Sequence, residues 1–129
     1  MMGAVLYEIA AHENAVVDTA RILVLRKSLG DQRCREVIDE VVFHLSDRLG
    51  LLQSALERGD IVETGVLAGR LASLSEQVGL ADFARVCRDL LTCIEAGEAT
   101  ATAAVAARLF RLGEESLFSV MLYADQSAL

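Results

Sequence analysis

The sequence of 129 residues contains no proline, and aromatic side chains make up only 5% of it. Proline breaks helices, so its absence removes the main obstacle to long helical segments. Together with the many Ala and Leu residues, this composition predicts an all-α protein. Because a chain of this length can bury a core without disulfides or metals, we expect a single helical domain over residues 1–129.

Basic runs are also missing, and the formal net charge is −7. Nucleic acids and anionic membrane surfaces attract basic patches, so neither is expected as a partner. The N-terminal segment lacks the positive stretch and the uninterrupted apolar run of a signal peptide. Glu8 and Glu13 also interrupt any membrane-spanning segment there. We therefore expect a cytoplasmic protein without membrane partners.

The motifs of common catalytic and metal sites are absent as well. The sequence has three cysteines: Cys34, Cys87 and Cys93. They show no Cys-x-x-Cys spacing, which argues against a disulfide framework and a zinc site. Glu40 and His44 lie four residues apart, as do Glu8 and His12, whereas di-iron bundles need Glu and His three apart. No glycine-rich phosphate loop is found. We expect no metal and no cofactor.

Apolar residues recur with the 3.6-residue period of a helix, and glycines separate the periodic segments. The pattern predicts five helices, at about residues 3–28, 31–58, 60–78, 81–96 and 102–124. Asp31 is the expected cap of the second. Short connections make neighbouring helices antiparallel. The expected fold is an up-down-up-down four-helix bundle over residues 31–125, with an additional N-terminal helix within residues 1–30.

Large apolar residues lie on more than one face of several predicted helices. The expected core stripe of the first helix contains Val5, Ile9, Val16, Ala20 and Leu23. Four large side chains lie outside the stripes of their helices: Ile22, Leu25, Phe43 and Phe118. A monomer would expose too much of this apolar surface, so we expect a homodimer. The first helix then packs across its own bundle or is donated to the second subunit.

Residues 59–91 combine a well-marked helix start with an outer face that has little side-chain bulk. Asp60 can cap the helix and Glu63 can reach back to it, as in a capping box. The predicted core stripe is Leu67, Leu71, Leu74 and Val78. The opposite face carries Gly65, Gly69, Ala72 and Glu76. An exposed helical glycine costs about 1 kcal/mol relative to alanine. Two of them either permit close approach by another surface or are tolerated at a solvated face.

The segments LAGRLASLSEQVGL and LADFARVCRDLLTCIEAGE resemble the histidine-containing phosphotransfer (HPt) domain of two-component phosphorelays. The signature of that family is His-x-Leu-Lys-Gly, followed by small residues and by a glycine before the next helix. The similarity runs through Leu71, Val78-Gly79-Leu80, Phe83, Cys87 and Leu90 and loosely covers residues 37–123. The resemblance implies the same four-helix bundle.

The positions that carry the family's chemistry differ in this chain. When the segments are aligned on Leu71 and Gly79, the phosphoacceptor His falls on Gly69, the Lys on Ala72 and the following Gly on Ser73. Phosphotransfer needs an exposed imidazole as nucleophile, and Gly69 offers none. The resemblance therefore implies a non-catalytic, degenerate HPt module that docks a response-regulator receiver domain or a sensor histidine kinase. The implied docking face consists of Gly65, Gly69, Arg70, Ala72, Ser73 and Glu76.

Two alternatives remain open at this point. The segment FHLSDRLGLLQ, which contains His44, loosely resembles the phosphoacceptor helix of sensor-kinase dimerisation domains, although Leu45 replaces the acidic residue that usually follows the histidine. One alternative is therefore an active phosphotransfer protein that uses His44 on a dimeric bundle. The other is a plain helical oligomer without a signalling role.

Overall fold

The computed structural model describes the backbone of residues 17–127 and the side chains of residues 17–122. Within this range the chain forms five helices and no strand: α1 (Thr19–Leu29), α2 (Asp31–Arg58), α3 (Ile61–Gln77), α4 (Ala81–Glu95) and α5 (Ala99–Ser127). Consecutive helices pack against each other, and α2 also contacts α5, which closes the bundle. The predicted all-α, up-down-up-down bundle with an additional N-terminal helix is confirmed.

The turn between α2 and α3 shows why these helices end and begin where the sequence predicts. Gly59 adopts a left-handed conformation with φ of 72°, and its N–H donates to the carbonyl groups of Ala55 and Leu56. The Asp60 carboxylate accepts a hydrogen bond from the Glu63 N–H at 3.1 Å. The Asp60 N–H is already bonded to the Ala55 carbonyl, so only half of the predicted capping box forms. Asp31, by contrast, is the first residue of α2, and no side chain caps that helix.

The core lies between α2, α3, α4 and α5 and is almost entirely aliphatic. Its largest fully buried side chains in the bundle are Ile38, Leu45, Leu52, Leu71, Leu80, Phe83, Leu90 and Leu109. Fully burying one such side chain stabilises the fold by about 1.5–3 kcal/mol. The predicted outward direction of Phe118 is confirmed. None of the helices in residues 17–127 is long and apolar enough to cross a lipid bilayer.

The first helix is not continuous through residues 3–28 as predicted, because Val17 and Asp18 are not helical. The Asp18 carboxylate caps α1 by accepting from the Ala20 N–H at 3.0 Å. The Asp18 N–H donates to the Gly79 carbonyl at 2.7 Å. Gly79 has a φ of 80°, and a Cβ at this position would lie 2.7 Å from the Asp18 carbonyl oxygen. This backbone contact attaches α1 to the turn between α3 and α4.

The buried face of α1 is also not the predicted one. Ile22 is fully buried, Leu25 packs against the core, and Leu23 is exposed. The prediction that Ala20 and Leu23 face the core is therefore wrong. The physical reason is that α1 is short and meets the bundle near the α3–α4 turn, where the Arg21 Nε donates to the Gln77 carbonyl. The other residues predicted for this stripe, and the pair Glu8 and His12, lie outside the described residues.

Candidate docking site

The buried face of α3 is wider than its leucine stripe. The buried residues of this helix are Thr64, Leu67, Ala68, Leu71, Ala72 and Ser75. The Thr64 hydroxyl donates to the Asp60 carbonyl at 2.7 Å, and the Ser75 hydroxyl donates to the Leu71 carbonyl at 2.6 Å. These bonds within the helix satisfy both hydroxyls and let them enter the core. Leu74, predicted as core, is only half-buried.

The outermost stripe of α3 consists of Val62, Val66, Gly69 and Ser73, at spacings of four, three and four. Val62 is 80% exposed and Val66 43% exposed. This stripe is rotated by about 60° from the predicted outer face. Ala72, which the prediction placed on that face, is buried because α2 and α4 cover α3 from two sides. Predicting it as exposed was wrong.

The remaining predicted docking residues divide into two groups. Gly65 faces α4, since a Cβ there would lie 3.4 Å from Leu91 Cδ1. Glu76 is exposed and forms an ion pair with Arg88 of α4. Gly69, Arg70 and Ser73, in contrast, line one open cleft. The structure therefore brings three of the six predicted residues together.

This cleft lies between α2 and α3 and has a volume of about 430 Å³. Its lining is formed by Arg48 of α2 and by Val66, Gly69, Arg70, Ser73, Leu74 and Gln77 of α3. A Cβ added at Gly69 would meet no atom within 4 Å, so the glycine leaves open space above the helix backbone. The cleft thus has open space at the position where the HPt resemblance places the phosphoacceptor.

Two arginines give the cleft a positive character. Neither Arg48 nor Arg70 forms an ion pair with any residue in the described part of the chain, although Arg48 Nη1 donates to the His44 carbonyl at 3.4 Å. Unpaired guanidinium groups on two helices raise the local potential of a protein that is otherwise acidic. The cleft can therefore attract an anionic group.

No residue that lines the cleft is a histidine, cysteine, aspartate or glutamate. The only nucleophilic side chain at the cleft is the Ser73 hydroxyl, and no acid–base partner lines the cleft to activate it. His44 is exposed on α2, one turn before Arg48, with its ring at the edge of Phe43. Within residues 17–122, no group of three or more His, Cys, Asp or Glu side chains could hold a metal ion.

The cysteines are free and mostly inside the bundle, as predicted. Cys34 and Cys87 are buried, and Cys93 is half-buried. Burial raises the pKa of the Cys87 thiol to about 12, against the smaller opposing effects of Arg88 and of a backbone hydrogen bond. A thiol with this pKa stays protonated at neutral pH and is a poor nucleophile.

Sequence reasoning missed Arg48 and Val66 as parts of the site. Arg48 belongs to a different helix, and the pattern of one helix does not show which residue of its neighbour lies alongside. Val66 is apolar but lies outside the leucine stripe, and an apolar residue on the outer side of a helix is the sequence feature that could have indicated a binding surface. Val62, one turn earlier, shows the same feature.

Comparison with known proteins supports the fold. No protein-family model and no curated protein matches the sequence. Among solved structures, the fold is similar to the crystal structure of histidine-containing phosphotransfer protein B (HptB) from Pseudomonas aeruginosa PAO1. The TM-score is 0.77 at 20% sequence identity, and the match covers 85% of this chain and 95% of that chain. The fold of this chain is therefore HPt-like.

Proposed function

We propose that this chain is a cytoplasmic, HPt-like signalling module of a two-component phosphorelay that docks a partner protein without carrying phosphate itself. The partner is a response-regulator receiver domain or a sensor histidine kinase. The observation that carries the proposal is Gly69, which lies in an open cleft of an HPt-like fold, at the position where the sequence resemblance places the phosphoacceptor. A surface of this shape retains room for a partner but has lost the reactive group.

The proposed docking surface has an apolar and a cationic part. Val62 and Val66 expose aliphatic side chains along the outer stripe of α3. Arg48 and Arg70 line the adjoining cleft. Burial of the valines supplies affinity, and the charges supply orientation and a faster encounter. Ala72 and Gly65 contribute indirectly, because their small size lets the neighbouring helices pack closely against α3.

Docking is tested with the variant Gly69→Arg and the matched control Gly50→Arg. A Cβ meets nothing within 4 Å at either glycine. Arginine is the better helix former, so each variant should match the wild type in stability or exceed it by up to about 1 kcal/mol. At Gly69 the new side chain fills the cleft, which should lower partner affinity by roughly ten- to hundredfold.

The affinities are measured by calorimetry against purified receiver domains and sensor kinases encoded in the same genome, with melting temperatures recorded in parallel. Gly50→Arg should bind like the wild type. Equal binding by both variants, or a sharp loss of stability in Gly69→Arg, would contradict the docking proposal. Arg88 is less suitable as a control position because it is paired with Glu76.

The absence of phosphotransfer is tested separately. We expect no phosphoryl group on this chain after incubation with a phosphorylated receiver. The exposed His44 is the alternative acceptor. An acid-labile, base-stable label that disappears in His44→Ala would contradict the non-catalytic proposal and favour an active phosphotransfer protein.

We further propose that the chain forms a homodimer. Phe43 and Phe118 are 68% and 64% exposed, whereas Ile22 and Leu25 pack within the subunit. The proposal therefore rests on the two phenylalanines. Sedimentation at micromolar concentration should show a dimer that dissociates in the double variant Phe43→Ser, Phe118→Ser, and a monomeric wild type would contradict it.

A further inference from the structure

We propose that the cleft accepts an acidic side chain of the docked partner, an aspartate or glutamate carboxylate held between Arg48 and Arg70. The proposal rests on the docking function above and names the chemistry by which the partner is recognised. It depends on three observations: the convergence of two arginines, the open space at Gly69, and the charge of the rest of the chain.

The two arginines reach the cleft from different helices and lack a carboxylate partner among the described residues. Four other arginines of the described chain pair with acidic side chains, namely Arg26, Arg33, Arg85 and Arg88, whereas exposed arginines such as Arg111 lack such a partner among the described residues. A single unpaired arginine on a surface is ordinary. Two that line one cleft from neighbouring helices repel each other, and an anion bound between them would offset that repulsion.

The open space at Gly69 suits an occupant that projects from the partner. Gly69 contributes no side chain, so a projecting group can approach the backbone of α3. Guanidinium groups bind carboxylates through paired, charge-assisted N–H···O bonds. The Ser73 hydroxyl and the Gln77 amide line the same cleft and add hydrogen-bond donors.

The overall charge limits the size of the anion. The chain has 19 acidic and 12 basic side chains outside histidine, which gives the net charge of −7. An extended polyanion such as a nucleic acid would meet repulsion over most of the surface. One carboxylate on a protein surface requires only the local positive cleft.

The test uses acetate as the carboxylate probe, titrated into isotopically labelled full-length protein and followed by NMR, with chloride at the same ionic strength as the reference. We expect saturable shifts at the amides of Gly69 and Ser73. Arg48→Gln and Arg70→Gln should each weaken acetate binding by about fivefold or more. Arg111→Gln, at an exposed position of α5, is the matched control and should bind acetate like the wild type.

Shifts that chloride reproduces, or equal weakening by Arg111→Gln, would overturn the proposal. If phosphate binds more than about tenfold more tightly than acetate, the carboxylate proposal is contradicted and a phosphoryl group is the favoured occupant. Binding of a single-stranded oligonucleotide that requires Arg48 would also overturn it. The acetate test needs no partner, so its failure is distinct from a failure of docking. If acetate binds but no receiver domain or sensor kinase does, the anion site is supported and the proposed partners are refuted.

Discussion

Two glycines in the middle of helices, Gly113 and Gly69, have opposite surroundings. Gly113 of α5 is buried, and a Cβ there would lie 3.1 Å from Phe83 Cε1 and 3.2 Å from Leu49 Cδ1. A Cβ at Gly69 would meet nothing within 4 Å. Both glycines cost about 1 kcal/mol in helix propensity. Packing within the subunit explains Gly113, whereas nothing inside the described chain requires a glycine at position 69.

Gly50 shows that open space alone does not identify a docking surface. It is exposed on α2, and a Cβ there would also meet no atom within 4 Å. Gly69 differs because it lines a cleft with two arginines, neither of which pairs with an acidic side chain among residues 17–122. The comparison therefore separates three cases: a glycine explained by the core, a glycine in a candidate site, and a glycine that nothing in the structure explains.

The largest difference between interior and surface is expected in thiol chemistry. Cys87 is buried and its pKa is about 12, whereas Cys93 of the same helix is half-buried. Alkylation of Cys87 requires an opening of the bundle, so at pH 8 we expect it to react about 1,000-fold more slowly than Cys93. Peptide mass spectrometry after timed alkylation measures both rates. Comparable rates would show that the core opens far more readily than its packing implies.

The interior glycine should tolerate substitution least. Gly113→Leu forces a side chain against Phe83 and Leu49 and should lower the free energy of unfolding by about 3 kcal/mol. Gly50→Leu, at the exposed position of α2, should leave it unchanged or raise it by up to about 1 kcal/mol. Urea denaturation of both variants gives the values. If Gly113→Leu kept wild-type stability, the close contacts around Gly113 would not constrain the core.

A smaller effect is expected from pH. Burial raises the pKa of the Cys87 thiol to about 12, against 9.0 for an exposed thiol in the unfolded chain, so the folded state binds more protons than the unfolded state between these values. The contribution of this thiol to the free energy of unfolding is therefore fully present below pH 9 and decreases as the pH rises toward 12. We expect a loss of about 1 kcal/mol between pH 8 and 10.

The control for this pH effect is Cys87→Ala, which has no thiol to titrate. The variant starts from a lower stability because it leaves a small cavity. Its stability should nevertheless change less than that of the wild type between pH 8 and 10. An identical decline in both proteins would assign the pH dependence to other groups.

The smallest effect is expected for the ion pair between Glu76 and Arg88, which joins the outer surfaces of α3 and α4. Each side chain is 51% exposed, so solvent screens the attraction. A double-mutant cycle with Glu76→Gln and Arg88→Gln should give a coupling energy of at most about 0.5 kcal/mol. A value above about 1 kcal/mol would mean that this surface contributes more to stability than its exposure indicates.

The helix pattern could be predicted from the sequence because local rules determine it. The bounds of α2 agree with the predicted 31–58, and those of α4 with 81–96 to within one residue. Asp60 caps α3 as expected, since an aspartate before an apolar-periodic segment needs only its own neighbours to bond. The last helix extends three residues beyond each predicted end, because neither its Ala/Thr-rich start nor residues 125–127 contain a glycine or proline that would stop it.

The orientation of the outer face could not be predicted as reliably. A stripe drawn through leucines and valines alone leaves out Thr64 and Ser75, which are buried because they bond to carbonyl groups of their own helix. That omission displaced the predicted face and placed Ala72 outside. The contribution of Arg48 depends on the register between two helices, which is a property of tertiary packing. The break at Asp18 likewise depends on its contact with Gly79.

The attachment of α1 to the α3–α4 turn has a consequence for the order of events during synthesis. Arg21 bonds to the carbonyl of Gln77, 56 residues later in the chain. At about 5–20 residues per second, a ribosome needs roughly 3 to 11 seconds to extend the chain from one residue to the other. During that interval the Gln77 and Gly79 carbonyl groups that accept from Arg21 and Asp18 do not yet exist. The start of α1 therefore stays unattached in the nascent chain until the α3–α4 turn is made.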